Sequence, residues 1–256
     1  MLLQFDKVVS DKNVLFDLPG SSVDLSIVVP PFWRFGKNYS KNNSVSLSDF
    51  KKTIKQISKV TKPGGICCLV LTNDIHPETG MFIPITTKVL SIVEPYAQSS
   101  DWNTQEEILW VRSTKSGAQS LTNMESIEMV SFDQIPFSHI RVLEKKGSKF
   151  EYKNRLDRLN ELRVSDKKIE EMSDSFWYCQ PSSKSGYNDK LPEEIVARLV
   201  MIYSNEGDFI LDPFAGDGVT GVVSKNLRRR FLCIVQKQKI PLVNERVKKV
   251  KIKINN

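Results

Sequence analysis

Histidine and cysteine are scarce: two histidines, His76 and His139, and four cysteines occur in 256 residues, with no Cys-x-x-Cys pair. Cys67, Cys68, Cys179 and Cys233 stand among apolar neighbours. That supply does not match the ligand spacings of zinc sites, so no metal is expected. It points instead to buried, reduced thiols in a cytoplasmic protein. No run of about 18 uninterrupted apolar residues is present, so no membrane-spanning helix is expected. The opening Met1-Leu-Leu-Gln-Phe-Asp6 lacks a basic stretch followed by a long apolar one, so no leader peptide is expected. Internal repeats and low-complexity tracts are also missing.

What is present suits one folded unit. With 40% apolar residues, a chain of this length can bury one α/β core, and the expected organisation is a single domain over 1–256 with a short insertion around 113–175. The net charge of +7 fits a polyanionic partner. Part of that surplus lies in the runs 225–230 and 246–253. Both runs can equally be read as a solvated helix edge and a basic terminus.

Strand-like runs fall at 5–10, 24–29, 66–71, 97–102, 107–112, 135–143, 208–211 and 230–236. Apolar residues at helical spacing (Phe50, Ile54, Ile57, Val60) predict a helix over 47–60 with Ser48 as its N-cap and Pro63-Gly-Gly65 as its stop. Further helices are predicted over 85–93 and 219–227. The charged segment 145–168 reads as a helical or partly mobile surface element.

Two stretches carry chemistry. The first, Asp212-Pro-Phe-Ala-Gly-Asp-Gly218, joins an apolar strand to a helix. Glycines there permit positive φ and close approach of the backbone to a ligand, and a helix start offers N–H groups. A nucleotide-like cofactor at the carboxyl end of a parallel strand is the reading that fits. The second, Val29-Pro30-Pro31-Phe32-Trp33, ends another buried strand. Taken alone, it is also compatible with a rigid turn flanked by packed aromatics.

Together the two stretches resemble the S-adenosylmethionine-dependent amino-methyltransferases of nucleic-acid bases, the cytosine-N4/adenine-N6 family. Residues 212–218 are similar to that family's Asp-Pro-Phe-x-Gly-Ser-Gly loop, and Pro30-Pro31-Phe32 to the tail of its Ser/Asp-Pro-Pro-Tyr/Phe motif. Weaker matches follow in order at Ser22-Val-Asp-Leu25, Val60–Ile66, Glu107–Arg112 and Lys190–Ile195. The catalytic motif precedes the cofactor motif, which is the permuted order of the β group.

The resemblance implies a Rossmann-like α/β fold, a doubly wound and mostly parallel sheet. It implies S-adenosylmethionine held by Asp212, Phe214, Ala215, Gly216, Gly218 and Thr220. Thr220 would cap the helix or contact the cofactor carboxylate. Asp11 would border the adenine, although its Ser-Asp-Lys-Asn setting also suits a simple turn. Val29, Pro30, Pro31 and Phe32 would form the catalytic motif, with Phe32 or Trp33 stacking on the base. The partner implied is DNA or a structured RNA such as ribosomal RNA, with a homodimer or a partner subunit open.

Two residues depart from the family pattern. Val29 stands where Ser, Asp or Asn accepts a hydrogen bond from the target amine. Val235, with Gln236 beside it, stands where an acid binds the ribose. Phe32 after the prolines, with no acid before them, favours cytosine N4 over adenine. The alternative reading is a degenerate methyltransferase-like subunit that binds nucleic acid or a partner enzyme.

Overall fold

The computed structural model describes residues 5–31, 46–75, 79–98, 102–112, 137–147, 155–162, 164–180 and 191–250. Among the described residues there are ten strands: β1 (Lys7–Val9), β2 (Val23–Val28), β3 (Thr61–Leu71), β4 (Asp74–Ile75), β5 (Phe82–Ile83), β6 (Trp102–Val111), β7 (Phe137–Lys145), β8 (Phe176–Tyr178), β9 (Phe209–Asp212) and β10 (Arg230–Ile234). The helices are α1 (Val14–Asp17), α2 (Leu47–Val60), α3 (Ile85–Gln98), α4 (Arg155–Asn160), α5 (Asp166–Ser173), α6 (Glu193–Tyr203), α7 (Val219–Asn226) and α8 (Ile240–Lys248). Eight strands make one sheet in the order β1-β10-β9-β2-β3-β7-β6-β8, while β4 and β5 pair as a separate hairpin. Only β7 runs against the others, since β3/β7 and β7/β6 are antiparallel and the remaining pairs parallel.

The central strands are apolar on both sides because helices cover both faces. On one face Leu25, Ile27, Cys68, Val70, Ile210 and Cys233 pack against α6, α7 and α8. On the other, Val28, Cys67, Leu69, Leu211 and Ile234 pack against α2 and α3 through Phe50, Ile54, Val89 and Val93. This is the doubly wound, mostly parallel α/β sheet that the resemblance implies. The strand from Ile66 and the strand ending at Leu211 flank β2 near its centre.

Several local expectations are corrected. Ser46, not Ser48, caps α2, its Oγ accepting from the Asp49 N–H at 3.1 Å. The helix stops before Pro63. Thr61 donates its hydroxyl to Ile57 O at 2.7 Å and starts β3 directly, leaving Pro63–Gly65 in an irregularity of that strand. α3 continues past Pro95 to Gln98, although proline has no N–H to give to the preceding turn.

The strand expected over 97–102 is not found: residues 97 and 98 close α3, 99–101 lie outside the described residues, and β6 begins at Trp102 and runs on through the strand expected over 107–112. Its polar middle resembles a loop, yet partners on β7, α4 and α6 satisfy it. Glu106 binds Arg155 at 3.2 Å and Tyr203, and Glu107 binds His139 at 2.7 Å and Arg141 at 3.5 Å. The three-residue β8 adds a strand that no sequence pattern marks; it buries Trp177 beside β6. Within 145–168 the described helical parts are α4 and the start of α5. Among the described residues, no helix is long and apolar enough to cross a membrane.

Candidate active site

The pairing of β2 with β9 decides where the two motifs meet. Leu25 lies opposite Ile210 and Ser26 opposite Leu211, in parallel. The chain therefore leaves β2 at Val29-Pro30-Pro31 and leaves β9 at Asp212 on the same edge of the sheet. β1 and β10 add their carboxyl ends to that edge, Val9 opposite Ile234, with the Val235 N–H donating to Val9 O at 2.8 Å. Asp11 and Gln236 thus join Val29, Pro30, Pro31 and the 212–218 loop along four neighbouring strands. Phe32 and Trp33 lie outside the described residues.

The loop after β9 is held from within. Asp212 is buried, its Oδ1 accepting from the Phe214 N–H at 3.0 Å and its Oδ2 from the Thr220 hydroxyl at 2.5 Å. The Ala215 N–H donates to Ile234 O at 3.0 Å, tying the loop to β10. Asp217 pairs with Arg246 at 2.9 Å, and the same guanidinium donates to Asp217 O at 2.6 Å. Thr220 does not cap α7. The cap is Gly218, while the Thr220 hydroxyl is committed to Asp212. Asp11 shows its turn chemistry, Oδ1 accepting from the Asn13 N–H at 2.8 Å.

The two loop glycines have different surroundings. Gly216 has φ +50°, and a Cβ built there would meet nothing nearer than Phe214 O at 3.9 Å. Gly218 has φ +80°, and its Cβ would sit 2.1 Å from Val243 Cγ1 on α8. Gly218 therefore admits a packing helix, while the open side of Gly216 is the one available to a ligand.

The departures at Val29 and Val235 are also placed. Val29 packs against the cluster that holds Ile27 and Val70, and Val235 is buried in that cluster. Gln236 is half-buried, and its Oε1 accepts from Gln238 Nε2 at 3.2 Å. Neither strand end carries a carboxylate where the family pattern has a polar or acidic residue.

The basic run 225–230 is occupied elsewhere. Lys225 donates to Val247 O at 2.9 Å, Arg229 to Ser204 O at 2.7 Å and Arg230 to Gly207 O at 2.6 Å. These cations flank the amino end of β10, opposite the site. Lys12, Lys237 and Lys239 stand on the site edge instead. Sequence reasoning missed the Asp217–Arg246 clamp because its partners are 29 residues apart and each reads as an ordinary surface charge.

Burial pushes the Asp212 carboxyl up to about 7, against hydrogen bonds from Thr220 and Phe214 that favour its charged form. An acid raised on folding stabilises the native state while neutral. That contribution is present below the ordinary value of 3.8, is lost as pH climbs to about 7, and changes no further above. Asp212→Asn should remove this loss, so urea melts should show the variant gaining on the parent between about pH 4 and pH 7. Parallel curves would show that Asp212 does not titrate in that window.

The glycine pair gives a second expectation. Gly218→Ala should lower stability by about 2–4 kcal/mol through positive φ and overpacking, with Val243→Ala recovering part of it. Gly216→Val should lose cofactor binding with a smaller drop in melting temperature. Unchanged affinity in Gly216→Val would remove Gly216 from the site.

Known proteins are similar to this chain in sequence or in fold. The type II methyltransferase M.BglII of Bacillus subtilis is 28% identical over 233 residues, 86% of this chain and 61% of its own length. The chain thus spans about three fifths of that relative. TTHA0409 of Thermus thermophilus, described as a candidate DNA modification methylase, superposes with a TM-score of 0.68 at 20% identity, covering 95% of this chain and 94% of its own. The PvuII DNA methyltransferase, cytosine-N4-specific, gives 0.61 at 13% identity, covering 99% and 92%. At such identities the two structures speak for the fold. The DNA methylase profile N6_N4_Mtase matches residues 23–242, and the chain belongs to that family.

Proposed function

We propose that the chain transfers a methyl group from S-adenosylmethionine to the exocyclic amine of a base in DNA, with cytosine N4 as the target. The observation that carries this reading is the convergence of Pro30-Pro31 with the 212–218 loop on adjoining strand ends. TTHA0409 and M1.HpyAVI have both been solved with S-adenosylmethionine bound. The residues here suit that cofactor. Gly216 leaves an open approach, and Asp212 offers a buried carboxyl at the end of β9 for a methionine ammonium. Phe214 would flank the methionine chain, and Asp11 and Gln236 would border the adenosine. When bound, the cofactor supplies a methyl group activated on a sulfonium.

The chain's own task is to hold the acceptor. An exocyclic amine is a weak nucleophile because its lone pair is delocalised into the ring, so orientation and hydrogen bonding supply most of the gain. With Val29 unable to accept a hydrogen bond, the backbone carbonyls of Val29 and Pro30 remain to receive the amine hydrogens. The prolines restrict that backbone and bring no N–H to compete. Phe32 or Trp33 would stack on a base extruded from the duplex. Cytosine is supported by the phenylalanine after the prolines and by the cytosine-N4 specificity of the PvuII enzyme. Recognition of the surrounding sequence would fall to the span 113–175.

A second reading is favoured by Val29 and Val235: a degenerate subunit that keeps the fold and serves a partner. Incubation with tritiated S-adenosylmethionine and unmethylated genomic DNA, alongside unmodified total RNA, separates the two. Label in N4-methyldeoxycytidine is expected. Label in N6-methyldeoxyadenosine would correct the base, label in RNA alone would correct the substrate, and no transfer with no cofactor binding would overturn the enzyme reading.

A further inference from the structure

The row of side chains above Val29 contains a polar cluster that no part of the cofactor site uses. Val29 shares its sheet face with Ile27, Val70, Ile140 and Trp110. Alternation along each strand puts Thr72, Ser138 and Arg112 on that same face, one layer nearer the carboxyl edge. The register that sets Val28 beside Leu69, carried three residues onward, sets Pro31 beside Thr72. Across the next strands, Leu71 lies opposite His139, and Trp110 opposite Ser138.

These three side chains are bonded to one another. Arg112 Nη2 donates to Thr72 Oγ1 and to Ser138 Oγ, each at 2.9 Å, and its guanidinium lies 5.2 Å from the centre of the Trp110 ring. The two hydroxyls are 2.7 Å apart. Ser138 is fully buried, whereas Thr72 is partly exposed.

Hydrogen counting assigns the direction of the hydroxyl pair. Each hydroxyl has one hydrogen and two acceptor positions, and Arg112 occupies one position on each. If Thr72 donated to Ser138, the Ser138 hydrogen would need another acceptor inside the core, and none is found among the described residues. If Ser138 donates to Thr72, Ser138 is satisfied and both acceptor positions of Thr72 are filled. The Thr72 hydrogen is then left to point outward, on the exposed side of the cluster. Arg112 and Ser138 thus convert Thr72 from an ambivalent hydroxyl into a donor.

We infer that Thr72 donates to the ring nitrogen next to the target amine and positions the base in the site that Val29 leaves without a polar side chain. This rests on the methyl-transfer reading of the same edge. Cytosine N3, beside the N4 amine, is an acceptor, and adenine N1 stands in the same relation to its amine. Uracil and thymine present an N–H at that place, which a fixed donor rejects. A donor here therefore selects for bases that carry an exocyclic amine next to a ring acceptor, which is the class the reaction needs.

The test compares the unsubstituted protein with Thr72→Val, Thr72→Ser and Val29→Asn/Thr72→Val. One readout is methyl transfer. The other is binding of a single-stranded oligonucleotide with S-adenosylhomocysteine present, the target cytosine being kept or replaced by uracil. Thr72→Val should lose about tenfold in transfer and in the preference for cytosine over uracil, as expected for one hydrogen bond. Cofactor affinity should hold, and melting temperature should fall only modestly, because Ser138 and Arg112 each lose one acceptor. Thr72→Ser should restore most of the loss, and Asn at position 29 should recover part of it.

Unchanged transfer and unchanged base preference in Thr72→Val overturn the inference. So does a loss that tracks a fall in melting temperature and is not restored by Thr72→Ser, because that marks a purely structural cluster. If the unsubstituted protein transfers no methyl group, the reaction assignment fails on its own account. The cytosine-over-uracil binding preference then decides alone whether Thr72 reads the ring.

Discussion

Two parallel strands drawn from opposite ends of the chain, β2 and β9, must lie side by side for any of this site to exist. Their pairing is buried on both faces, and at its amino end Asp24 fixes it. Asp24 accepts from the Phe209 N–H at 2.9 Å, 185 residues away, and binds Lys62 at 2.6 Å on the neighbouring strand. Closing so long a loop adds little entropic cost beyond a shorter one, because that cost grows only logarithmically with length. Register is the stricter constraint. A slip by one residue would move Leu25, Ile27 and Val29 to the opposite face, taking the acceptor end away from the face that carries Asp212.

From that pairing the loop after β9 inherits its rigidity. Asp212 draws the loop inward, β10 holds it through Ala215, and Arg246 on α8 closes its outer side at Asp217. Such a loop is set before any ligand arrives, which is how a site limits the entropic penalty of binding. The buried carboxyl sits uneasily in this arrangement, as its raised proton affinity shows. A cationic ligand group beside it would relieve that strain, which links the stability of the empty loop to its task.

The sheet was legible because its central strands are short apolar runs bounded by turn signals, and because the order of motifs selected a permuted topology. Asp212, Gly216 and Pro30-Pro31 were legible as local patterns. What escaped was non-local. The packing role of Gly218 was hidden because Val243, which fills the space beside it, is 25 residues further along. The first half of β6 was missed because the acids in its middle find their bases and tyrosine on β7, α4 and α6. The Thr72–Ser138–Arg112 cluster joins three strands that no single stretch of sequence brings together.

The central claim is that one ligand site spans the ends of β9, β10 and β2. A crystal structure with S-adenosylhomocysteine bound tests it most directly. The account predicts ligand density against Gly216 and Asp212, with the adenosine toward Asp11 and Gln236 and the sulfur toward Pro30. Density elsewhere, or a ligand-soaked crystal with this edge empty at saturating concentration, would contradict it.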